Sequence, residues 1–312
     1  RSNYNVAVQR TNDEELLLNL VRLKYRDTPF FMEVSSMASQ FILSTKANAS
    51  ASLQNGVKGL FGLGGSLGVT EKPTVTYSPL QGDRFIQRVL SPLPLDTITL
   101  LFNSGWNIER IFRLCFQRMN NLKNAPGASG PTPSRSPYFI EFISAVKYLR
   151  LLQIEDAINL SYQEENGVPQ LILNINDADK NRAEARQFAL AANVEPGKTR
   201  YVLAFSADSN KTNHIRVVTR SLLGIMFYIS QAVEVPSKDI SKGKVTQTQT
   251  RDGKIFDWDK VMGDLLKIRS ASEKPQEYPM TIFYRGSWFY INDSDLSSKS
   301  TFSLLSQIFS LQ

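Results

Sequence analysis

Pro29 sets the sharpest local constraint in this chain, because the residues on either side of it follow different periods. Upstream, Leu16, Leu17, Leu20, Val21 and Leu23 recur at helical spacing, and downstream Phe30, Phe31, Met32 and Val34 read as an aromatic strand. A residue that precedes proline is pushed out of helical geometry by the ring, so the helix has to stop within Tyr25-Arg26-Asp27-Thr28 and the chain has to turn there. Thr11 and Glu14 form a capping-box pattern, which predicts a helix from about Asn12 to Tyr25 and leaves residues 1–10 extended. The corner carries two charges, Arg26 and Asp27. Both are candidate ligand or interface residues, and a local salt bridge or a helix-end contact is their plainer use.

Beyond the corner, the Ser- and Ala-rich stretch Ser35 to Ser52 predicts one arm of a long β-hairpin, with Thr70 to Tyr77 as the other. The tip, Asn55 to Gly68, reads NGVKGLFGLGGSLG and carries Leu60, Phe61, Leu63 and Leu67 on a glycine-rich backbone. Apolar side chains on such a tip are candidates for membrane or partner contact. Helices are expected at about Gly82 to Leu90, Leu95 to Ser104 and Asn107 to Asn120, the last with Asn107 as its N-cap. Residues 125–137, APGASGPTPSRSP, read as a linker between an N-terminal domain (1–124) and a C-terminal α+β domain (138–312).

In that second half, a helix over Tyr138 to Gln153 precedes strands at Ile158 to Tyr162 and Gln170 to Ile175, joined by the hairpin signal Asn166-Gly167. A helix over Asp179 to Ala192, strands at Tyr201 to Phe205 and Ile215 to Val218, and a helix from Thr219 to Val233 follow. The last cycle has strands at Leu266 to Arg269, Met280 to Tyr284 and Trp288 to Ile291, then a helix from Leu296 to Leu311. The predicted class is therefore α+β, with recurring β-hairpin-then-helix units and antiparallel sheets covered by helices. Trp288 and Tyr290 on the final hairpin are candidate stacking residues for a sugar or base, and packing of one strand face is the plainer reading.

The motifs that suggest catalysis fail on context. Gly64-Gly65-Ser66-Leu67-Gly68 has the spacing of a nucleophile elbow but lacks the strand before and helix after that aim such a serine, and His214 is the sole histidine. Gly197-Lys198-Thr199 has a phosphate-loop flavour, yet a helix precedes it and a strand follows, the reverse of the required order. Asp177-Ala178-Asp179 opens like a calcium loop but has Arg182 where glycine is needed. Cys115 lies in an amphipathic helical pattern and reads as a small buried hydrophobe. No catalytic residue, metal site or cofactor is expected. The net charge of +7 comes from 36 basic and 29 acidic residues that are interleaved without a basic block, so a nucleic-acid partner is not expected either.

Five segments carry a resemblance. Glu15 to Leu23 with Tyr25-Arg26-Asp27-Thr28-Pro29, Pro73 to Gly82, Thr219 to Gly224 with Val233-Glu234-Val235-Pro236, Tyr284 to Ile291, and Asp293 to Phe302 resemble a family of proteobacterial envelope lipoproteins of unassigned activity. The resemblance implies an exported precursor cut before a lipidated cysteine just upstream of Arg1, with a lipid anchor in the outer membrane and a position on its periplasmic face. It also implies other envelope proteins as partners in an oligomeric assembly, with an accessory role in a trans-envelope secretion complex as its sharpest form. The alternative is a peptidoglycan or carbohydrate binder or enzyme built on the C-terminal aromatic hairpin with Asp293 and Asp295.

Overall fold

The computed structural model describes residues 2–48, 64–131, 133, 135–206, 211–276 and 280–312. The chain forms two compact units, Arg1–Ala7 with Phe30–Leu80 and Val8–Pro29 with Gln81–Gln312. It is a mixed α+β fold, with several helices packed against β-sheets.

Helix α1 runs Ser2–Lys24, so the residues expected to be extended are helical and Thr11 lies inside the helix. Neither Gly nor Pro occurs between Ser2 and Lys24. A cap pattern in mid-sequence does not stop a helix that nothing breaks.

The smaller unit holds β1 (Met32–Asn48, 17 residues) and β2 (Gly64–Pro79, 16 residues), paired antiparallel from Met32 opposite Pro79 to Asn48 opposite Gly64. The long hairpin is present, and Gly64 to Gly68, expected in the tip, belong to β2. One irregularity, between Val34 and Ser36, shifts the register.

In the larger unit, α2 (Leu95–Asn103) and α3 (Ile108–Cys115) lead into β3 (Phe116–Met119) and β4 (Leu122–Lys123). The helix expected to reach Asn120 thus ends at Cys115. There follow α4 (Ile140–Ile154), β5 (Ile158–Glu165), β6 (Val168–Ile175), α5 (Ala183–Ala191), β7 (Arg200–Ala204), β8 (His214–Thr219) and α6 (Leu222–Ser230). The final elements are β9 (Arg269–Ala271), β10 (Thr281–Tyr284), β11 (Ser287–Tyr290) and α7 (Leu296–Leu311).

Six strands form one sheet in the order β4-β3-β8-β7-β6-β5, and three form a second in the order β10-β11-β9. Asn166 and Gly167 both have positive φ, as a type I′ turn needs, and they close β5 onto β6. In contrast, β7 and β8 run parallel, with Val202 opposite His214, so this pair is not a hairpin. The sheet is mixed, and hairpin-then-helix is not a repeating unit of the fold.

The core is organised around a buried cation. Arg220 is fully buried. Its Nη1 donates to the carbonyls of Arg113 (3.1 Å), Leu114 (3.1 Å) and Phe116 (2.7 Å), its Nη2 to that of Asn124, and its Nε to Ser129 Oγ (2.8 Å). The guanidinium also lies 3.9 Å from the centre of the Tyr228 ring. The carbonyls of Arg113, Leu114 and Phe116 belong to the end of α3, where backbone acceptors lose their helical partners and the dipole is negative. A planar fork of donors answers both needs. Burial pushes Arg220 down to about 10, which leaves it charged at neutral pH.

The same network reaches Ser129 in the Pro/Gly/Ser segment. Ala125 and Ala128 are buried, Pro126–Ser129 form a 3-10 turn, Ser129 accepts from Arg220, and the Pro133 carbonyl accepts from Thr248 Oγ1 at 2.6 Å. The described residues of the Pro/Gly/Ser segment belong to the larger unit. Gly224 packs tightly close by, since a Cβ there would sit 3.3 Å from Ser221 Oγ and 3.4 Å from Arg220 Cβ.

Candidate functional site

The C-terminal end of α1 is where distant parts of the sequence meet. Asp27 N–H bonds to the Arg22 carbonyl at 2.9 Å and Arg26 N–H to that of Leu23 at 3.1 Å, with Arg26 in the left-handed region at φ 62°. This is a Schellman ending, which glycine usually occupies. Arg26 is exposed and serves as the turn residue.

Asp27 is engaged by residues far along the chain. Arg285 Nη2 lies 2.8 Å from each of its carboxylate oxygens, and Tyr284 Oη donates to Oδ2 at 2.5 Å. Arg285 and Gly286 both have positive φ, forming the two-residue turn that joins β10 to β11. Tyr25 completes the joint. Its hydroxyl donates to Asp239 Oδ2 at 2.8 Å, its ring meets those of Tyr284 and Phe289 edge-on, and the Arg285 guanidinium lies 5.1 Å from its centre. The Asp239 side chain is buried and also accepts from Lys244 Nζ at 2.7 Å; that bond holds its carboxyl below the usual range. Burial, then the bond to Asp239, raises the Tyr25 phenol.

The Asp27–Arg285 pair is about one-third exposed on each side. A bidentate pair at that exposure is worth about 1 kcal/mol. A double-mutant cycle with Asp27→Asn and Arg285→Gln should therefore give a coupling of about 1 kcal/mol in urea unfolding, falling in high salt. Purely additive losses would show that the pair is ornamental.

One residue before Tyr25, Lys24 lines a cavity of about 320 Å³ together with Gln231, Thr246, Phe256, Trp258 and Ile268. Lys24 Nζ donates to Gln231 Oε1 at 3.0 Å and forms no ion pair among the described residues. Burial alone lowers its amine to about 8 from the ordinary 10.5. Because the folded value is the lower one, the unfolded chain holds more protons between these pH values. Lys24's contribution to stability is full above 10.5 and is lost as the pH falls through 8. Lys24→Met should thus stabilise the fold at pH 7 by about 1–3 kcal/mol, a gain that shrinks toward pH 10. The measurement is denaturant unfolding of both proteins across that range, and a gain independent of pH would contradict it.

The remaining sequence candidates fall in several places. Leu60, Phe61 and Leu63 lie outside the described residues, and Leu67 falls in β2 opposite Thr45. Trp288 is half-buried, with its ring 5.0 Å from that of Phe283 and Lys274 Nζ 5.2 Å from its centre. Tyr290 pairs with Thr281 and Arg269 in the three-stranded sheet. Asp295 caps α7 through Ser298, and Asp293 binds Lys299 at 2.6 Å.

His214 opens β8, Gly197 sits in a turn at φ 81° with Lys198 paired to Glu195, and Cys115 is fully buried with its thiol pushed up to about 12. Among the described residues no group of three His, Cys, Asp or Glu could hold a metal ion, and no helix is long and apolar enough to cross a membrane.

No protein-family model, curated protein or solved structure matches this chain. The Lys24 cavity escaped the sequence reading because its lining comes from α1, the segment after α6 and the stretch before β9. The signal available was a lysine placed between buried Leu23 and buried Tyr25.

Proposed function

We propose that this protein is a non-catalytic scaffold or binding subunit of a bacterial envelope assembly, held at the periplasmic face of the outer membrane. The observation that carries this reading is the long two-stranded ladder of β1 and β2, a compact unit of its own. A two-stranded hairpin alone is marginally stable in water, and the edge of a strand is where another chain can pair. Such an element is completed by another strand.

At 17 and 16 residues, β1 and β2 each exceed the roughly 9–11 residues with which a strand crosses an outer membrane. Hairpins from several copies, paired edge to edge, would form an oligomeric insert around which other envelope components assemble. An accessory role in a trans-envelope secretion complex is the sharpest form of the proposal, and the lipidated cysteine implied upstream would add an anchor.

The test removes Asn55–Gly68 and follows the protein through envelope fractionation and affinity capture. Loss of envelope partners with an unaltered melting profile is the expected outcome, and unchanged capture would end the proposal. A glycan-binding reading on Trp288 finds no favouring geometry, since its ring already meets Phe283 and Lys274.

A further inference from the structure

The Lys24 cavity has the makings of a ligand site that the assembly role does not use. Three features set it apart from an ordinary packing gap. First, its volume of about 320 Å³ falls at the lower end of the roughly 300–1,000 Å³ typical of small-molecule pockets. Second, its walls are largely apolar, with Phe256, Leu266 and Ile268 buried and Trp258 meeting Phe256 edge-on at 5.2 Å. Third, its polar donors are incompletely used. Thr246 Oγ1 is buried without a hydrogen-bond partner, which is rare for a buried hydroxyl. An ammonium has three donors, and Lys24 spends one, on the neutral amide of Gln231.

The other charged groups on the cavity have their own uses. Arg269 lies 3.6 Å from Glu234 and Lys267 lies 3.5 Å from Asp259. Asp257 accepts from the backbone N–H of Asp259 at 3.0 Å. The lining thus includes one ammonium without an ion-pair partner among the described residues and, in Thr246, one hydroxyl without a hydrogen bond.

We propose that this cavity binds a small carboxylate borne on an apolar chain, with its oxygens taken by Lys24 Nζ and Thr246 Oγ1 and its chain laid against Phe256, Trp258 and Ile268. An anion there supplies the charge partner that Lys24 lacks, and the chain fills space that water solvates poorly. The apolar walls require a hydrocarbon body as well as the anionic head, which separates this ligand from inorganic anions.

The experiment is calorimetric titration of the full chain with octanoate, with octanol and octylamine as matched controls. Octanoate should bind, octanol about tenfold or more weakly, and octylamine not at all. Lys24→Met should reduce octanoate affinity by about tenfold or more while the protein melts no lower than the native chain, and Thr246→Val should weaken it several-fold. Octanoate affinity should be level below pH 8 and decline above it, as free Lys24 loses its proton. Equal binding of octanol and octanoate would reduce the cavity to an apolar void and overturn the proposal. So would undiminished octanoate binding by Lys24→Met, or no octanoate binding at all. None of these outcomes bears on hairpin assembly, which is read by capture and oligomer mass.

Discussion

Replacing Arg220 with methionine should destabilise the larger unit by about 3–5 kcal/mol, the largest single-residue effect this fold allows outside its apolar core. Methionine fills much of the space but donates nothing. Asn124 Nδ2 would still reach the carbonyls of Arg113 and Phe116, at 2.8 and 2.7 Å. The carbonyls of Leu114 and Asn124 would each lose their Arg220 bond in a buried setting, and the half-buried hydroxyl of Ser129 would lose its own. An unsatisfied buried acceptor costs about 1–3 kcal/mol, so the sum follows from the count of orphans rather than from lost charge.

Lysine should not rescue the fold. Its single ammonium cannot span α3 on one side and Asn124 with Ser129 on the other, and an Arg220→Lys loss of about 2 kcal/mol or more is expected. Urea unfolding followed by circular dichroism gives both values. A loss below about 1 kcal/mol for Arg220→Met would mean that water replaces the guanidinium and that the buried fork is dispensable.

Much of this architecture was legible in the sequence, and the misses share a cause. Asn166-Gly167 gave the β5–β6 hairpin and Asn107 gave the cap of α3, whose side chain accepts from Glu109 N–H at 2.8 Å, because turn and cap chemistry are local. The end of α3 at Cys115 was invisible, since β3 exists by pairing with β8, about a hundred residues onward. Residues 125–137 look like a linker by composition. Arg220 holds Ser129 and Thr248 holds Pro133, and neither contact leaves a mark on the segment's own sequence.

The corner at Arg26 and Asp27 shows both sides. Pro29 fixed where the helix ends, but only the fold shows that Asp27 holds the Arg285 turn and that the preceding Lys24 lines a cavity.

On the proposed function, the hairpin joins copies of this chain. The second large effect expected is accordingly on assembly and not on folding. Closing the ladder early, with an Asn-Gly turn directly after the Leu43–Val69 pair, removes Ser44–Asn48, Gly64–Gly68 and the segment between them while preserving the inner register. The larger unit holds its own core, with Leu17, Phe112, Phe142, Phe188 and Phe289 all fully buried, so its unfolding transition should not move.

The decisive measurement is the mass of the assembly in lipid nanodiscs or mild detergent, by light scattering or mass photometry, for the full chain and for the shortened hairpin. The full chain should appear as a closed oligomer of several copies and the shortened one as a monomer with the same unfolding curve. A monomeric full chain, or an oligomer that survives the shortening, would contradict the claim.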